Sequence, residues 1–205
     1  MGDSSEWIGF VTDAEYSAML STLERMIDGG AEFPDQVFAQ PGGRIVFGEH
    51  LRVLTAQAWE SLRALASLHG DDRVDIVALA PSNVGYYIPR FGRPLAISVP
   101  ATATQREFAD ALQQRIDPSW IDSLEDTTDR VAVFGPSGNW AIVTDHDLDI
   151  AAIWSAQPSE KFREWQRSVD PLLSAADALE IASGAYGGTL PTGFARTFLA
   201  NYSVR

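Results

Sequence analysis

Apolar side chains return at Tyr16, Met19, Leu20, Leu23, Met26 and Ile27, the three-and-four spacing of one helix face. The pattern predicts a helix over 13–28, capped by Thr12 or Asp13 and closed by Gly29-Gly30. A second helix is expected over 55–68, with Trp59, Leu62, Leu65 and Ala66 inward and His69-Gly70 as its stop. A third, over 102–116, carries Thr104 and Glu107 at capping-box spacing and ends at Asp117-Pro118. The region 159–202 reads as helical, with an interruption near Pro171, where the ring removes a backbone donor. Its glycine-rich part, 184–193 (GAYGGTLPTG), suits either a turn or a mobile lid.

Between these helices the hydrophobic period changes. Strand-like runs occupy 44–47, 74–80, 86–88 and 95–99, and the stretch 122–129 reads as an acidic loop. The densest series is 130–154, RVAVFGPSGNWAIVTDHDLDIAAIW. A hairpin loop centred on Asp147 would set Trp140 opposite Trp154 and Ile142 opposite Ala152. Trp140, Ile142 and Thr144 would then share one face, with Ala141 and Val143 on the other. Helices and strands in mixed order predict an α+β fold, a mainly antiparallel sheet with helices packed on one side. No repeat, low-complexity tract or linker divides the chain, so 1–205 is expected to be a single globular domain.

Composition narrows the function classes. With 45% hydrophobic residues the chain can bury a sizeable core, and its lack of cysteine excludes disulfides and thiolate catalysis. The 28 acidic residues against 15 basic ones repel nucleic acid and anionic lipid, and favour a basic partner. No apolar run approaches the ~18 residues of a membrane span, and the start has no basic, apolar leader. A soluble, cytoplasmic protein is expected. Lysine chemistry has one candidate, Lys161, in a charge-rich helical context.

The motifs that would mark an enzyme fail on spacing. Asp145, Asp147 and Asp149 alternate as in a calcium loop, but Ile150 and Ala156 stand where the loop needs Gly and Glu. The turn 134–139 (FGPSGN) lacks the Gly-Lys-Ser/Thr ending of a phosphate loop and the spacing of a nucleophile elbow. The glycines after 184 follow a helix, so the dinucleotide fingerprint fails. His50, His69 and His146 lie in no ligand or catalytic motif, and the first two read as surface or capping groups. No catalytic residue, metal site or cofactor is therefore assigned. What remains is charge. Asp122, Glu125, Asp126 and Asp129 precede one strand, and Asp145, Asp147 and Asp149 sit at a hairpin tip. If both border the same sheet edge, they form one continuous anionic patch, with Trp120 and Trp154 as possible aromatic anchors.

The run FGPSGNWAIVTDHDLDIAAIW resembles, over about 20 residues, a strand-turn-strand segment of bacterial immunity proteins from polymorphic toxin systems. That resemblance implies a non-enzymatic protein that neutralises a cognate, often basic, toxin by blocking it. Two other expectations stay open. One is a carboxylate-based enzyme, with or without a divalent ion at the Asp-rich tip. The other is a structural or assembly subunit with tryptophans buried between protomers. The sequence sets no oligomeric state.

Overall fold

The computed structural model describes residues 8–40, 42–119, 123–156, 159–169 and 172–203. Its strands are β1 (Gly9–Phe10), β2 (Arg44–Glu49), β3 (Arg73–Ala80), β4 (Ala96–Pro100), β5 (Arg130–Phe134), β6 (Trp140–Asp145) and β7 (Ile150–Ser155). They form one antiparallel sheet in the order β1-β4-β3-β5-β6-β7-β2. The α+β fold with an antiparallel sheet is as the pattern predicts.

The helices are α1 (Asp13–Met26), α2 (Trp59–His69), α3 (Ile88–Phe91), α4 (Gln105–Leu112), α5 (Leu124–Thr127), α6 (Glu160–Ser168), α7 (Ala175–Ala185) and α8 (Phe194–Tyr202). Capping boxes open α1 at Thr12 with Glu15, and α4 at Thr104 with Glu107. The first helix ends at Met26 because Ile27 turns extended and bridges Phe38. The C-terminal helical region divides into α6, α7 and α8; the proposed interruption at Pro171 lies outside the described residues.

The helices do not pack on one side. Side chains of α2, α4 and α6 cover the face that carries Val131, Val133, Trp140, Ile142 and Ile153. Those of α1, α7 and α8 cover the face with Ala132, Phe134, Ala141, Val143 and Trp154. Every residue of β5, β6 and β7 is buried. Near-continuous apolar runs such as VAVF and IAAIW are the sign of strands covered twice, where a strict alternation would mark one wet face.

The hairpin register also differs from the expected one. Four residues, 146–149, separate β6 from β7, so Ala141 opposes Trp154 and Trp140 opposes Ser155. A one-residue slip sends a side chain to the other face. Trp140 and Trp154 therefore lie in the two different cores, though Trp140 and Ile142 do share a face as predicted. The run 86–88 is not a strand. Ser82 Oγ caps a π-helical turn over Asn83–Tyr87 that leads into α3. Buried Asn83 replaces ladder bonds there, donating to the Ala78 carbonyl at 3.1 Å and accepting from Leu95 N–H at 2.6 Å. The acidic stretch before β5 likewise contains the short helix α5 rather than a plain loop.

At the far end of the sheet, the turn between β5 and β6 is held by one buried carboxylate. Asp71, just after α2, accepts from Ser137 N–H (2.7 Å), Ser137 Oγ–H (2.9 Å) and Trp140 Nε1–H (2.8 Å). The packing is close enough that a Cβ at Gly135 would fall 2.0 Å from Asp71 Oδ2.

Candidate protein-docking surface

Ala80, Arg130, Asp145, Ile150 and Glu49 align in register across β3, β5, β6, β7 and β2. The segments that leave the strands at this end therefore lie side by side. Two backbone hydrogen bonds fasten the tip of the β6–β7 hairpin to its neighbours. His146 N–H donates to the Asp129 carbonyl at 2.7 Å, and His50 N–H donates to the Asp149 carbonyl at 3.2 Å. Asp129 is itself anchored through its N–H to the Ala80 carbonyl at 2.8 Å. The acid that precedes β5 and the acids of the hairpin tip thus meet, at the ends of central strands and not along an edge of the sheet.

The local sequence explains the shape of the tip. Asp145 Oδ1 accepts from Leu148 N–H at 3.1 Å, closing the turn. Leu148 is buried and pins the turn to the core. Asp149 takes a left-handed backbone with φ of 50°, a conformation that Asp tolerates better than most residues. His146 and Asp147 are left exposed.

The predicted contact residues separate into two groups. Asp129, Asp147, Glu125 and Asp126 are exposed, and Asp149 is half-buried. The Asp126 carboxylate also accepts from Ser123 Oγ–H at 2.9 Å. Asp145 is different: it is only 9% exposed and acts inside the turn rather than on a surface. Trp154 offers no anchor either. It is 1% exposed, stacks against Phe38, and donates its indole N–H to the Gly42 carbonyl at 2.7 Å. Asp122 and Trp120 lie outside the described residues.

Several neighbours of these acids come from distant sequence. Buried Arg130 sits beneath the acids, with Nη1 donating to Glu32 Oε1 at 3.1 Å and Nη2 to the Ala31 carbonyl at 2.6 Å. Its Nε is buried without a hydrogen-bond partner. Exposed Glu32 and Asp35 join Asp145 and Asp147 around a cleft of about 510 Å³, bordered by half-exposed Tyr186 and by Arg196. His50 is buried, not a surface group, and meets His146 edge-on at 5.4 Å between ring centroids. Burial holds its pKa below the ordinary value, the His146 charge adds to that, and Asp149 opposes it. His69 is half-buried, with Nε2 3.4 Å from Ser155 Oγ.

Burial pushes the Asp145 carboxyl above the usual Asp range, against the pull of the Leu148 N–H and of Arg130. A raised folded-state pKa means that ionising Asp145 costs folding free energy once the pH exceeds the unfolded value, about 3.9. Asp145→Asn keeps an acceptor for Leu148 and cannot ionise. It is expected to melt higher than the parent at neutral pH, with the advantage shrinking to nothing below about pH 4. Thermal melts across that range check this; an advantage independent of pH would contradict it.

Among the described residues no three His, Asp or Glu side chains are placed to hold a metal ion. No helix of the described residues is long and apolar enough to cross a membrane. No protein-family model, curated protein or solved structure matches the chain.

Proposed function

We propose that this is a non-enzymatic, cytoplasmic binding protein whose acidic strand ends dock a basic protein partner, in the manner of an immunity protein that blocks a toxin. The observation that carries the reading is the fastening of the hairpin tip to Asp129 by the 2.7 Å His146–Asp129 bond. That bond joins two acidic segments into one surface, and Glu32 and Asp35 extend it along the neighbouring cleft. The segment after β3 leaves the sheet at the same end and carries Val84, an apolar side chain that is 74% exposed. Interfaces commonly set such apolar side chains inside a polar rim. A surface of one sign speeds encounter with an oppositely charged partner and fixes its orientation.

The test uses the protein encoded beside this one as the candidate partner, with association measured at low and high salt. Asp129→Lys with Asp147→Lys reverses charge at two exposed positions. Asp149→Asn removes charge while tolerating the left-handed backbone. The triple variant is expected to associate at least about tenfold more slowly at low salt, with a flattened salt dependence. Unchanged rates at both salts would remove this surface from the reading.

A further inference from the structure

A second feature lies apart from the acidic strand ends, on the sheet face covered by α2 and α6. There a cavity of about 460 Å³ opens between the two helices, the residues after β2, and the sheet. Protein interiors are normally close-packed, and cavities of this size are the usual dimension of small-molecule sites. Its floor is Gly48, Ile142 and Ile153, and its walls include Leu62, Trp165 and Val169. Gly48 helps to keep it open: a Cβ built there would meet nothing closer than Ile153 Cδ1 at 4.0 Å. The Trp165 indole N–H is already spent on the Ser61 carbonyl at 2.9 Å, so the ring presents an apolar surface.

The polar groups gather at one side. Glu49, Arg52, Thr55, Gln57 and Ser61 come from the end of β2, the segment that follows it and the first turn of α2. Glu49 and Arg52 pair at 2.8 Å, so their charges cancel at the rim. The remaining groups are neutral donors and acceptors. An apolar floor with a neutral polar rim suits one chemistry and disfavours a net charge on the ligand, which would have to break that pair.

We infer that the cavity between α2 and α6 binds an uncharged, ring-bearing small molecule with a single hydrogen-bonding end. The ring lies over Ile142 and Ile153 beside Trp165, and the polar end reaches Gln57 and Ser61. The inference uses none of the acidic residues of the docking surface, so either can fail without the other.

The test is calorimetric titration of the whole chain at pH 7 with indole and 2-naphthol, against 2-naphthoate and protonated 2-naphthylmethylamine. The two neutral probes are expected to bind in the millimolar range or tighter, and the charged pair at least about tenfold more weakly. Gly48→Leu fills the floor and is expected to keep the far-UV spectrum and melting temperature while weakening the neutral probes at least about tenfold. Should that variant lose its fold, Ser61→Phe blocks the mouth from α2 and serves the same purpose. No heat from either neutral probe would overturn the inference. So would equal affinity in the filled variant, or preference for a charged probe.

Discussion

Replacing Trp154 by alanine is expected to lower the unfolding free energy by about 4 kcal/mol, the cost of deleting a large buried aromatic. The side chain is 1% exposed on β7, stacked on Phe38 at 6.0 Å between ring centroids. Its indole N–H bonds to the Gly42 carbonyl, and a Cβ at Gly43 would fall 2.6 Å from the same nitrogen. Alanine would leave a cavity that neighbours on β2 and on the segment leading into it cannot close without moving. Trp154→Phe keeps most of the ring and loses the hydrogen bond, so a cost of about 1–2 kcal/mol is expected. Urea unfolding at fixed pH measures both. A Trp154→Ala chain as stable as the parent would return Trp154 to consideration as a surface anchor.

Asp71→Ala should cost somewhat less, about 3 kcal/mol, for a different reason. Three donors converge on that carboxylate, and alanine strands Trp140 Nε1–H in a buried site, while exposed Ser137 can turn to water. A buried donor left unmade costs about 1–3 kcal/mol. Asp71→Asn preserves the shape and one acceptor oxygen, and is expected to cost less than half as much. Equal losses for the two variants in denaturant titrations would mean that packing, not hydrogen bonding, holds the β5–β6 turn to the end of α2.

Much of this architecture is readable from spacing alone, because local rules decide it. The capping boxes at Thr12 and Thr104 are short-range chemistry, and both form. The alternation that sends Trp140 and Ile142 to one face and Ala141 and Val143 to the other is equally local. The hairpin register was not readable. It depends on whether Asp149 adopts a left-handed backbone, a preference too weak to see in sequence and large enough to move Trp154 across the sheet. The run 86–88 has strand-like spacing yet forms none, because a single buried amide, Asn83, supplies bonds that a strand would otherwise make.

The candidate docking surface shows the same division. The acids at 129 and 145–149 are adjacent because β5 and β6 are consecutive antiparallel strands, and consecutive elements usually neighbour one another. Glu32 and His50 join them through pairings that span about a hundred residues of chain, which no local pattern encodes. Nothing in the local sequence of Arg130 marks it as buried. Only the fold shows it buried beneath the carboxylates.

The order of the sheet has one more consequence. Its two outermost strands, β1 and β2, are the first two in the chain, and α1 lies between them across one face. Six strand spacings separate them, about 29 Å, of which the 14-residue α1 can span about 21 Å. The opening segment therefore works as a buckle, one continuous strap fastened at both margins. Both edges of the sheet are thus tied to one stretch of chain, with the buried face of α1 seated between the two fastenings.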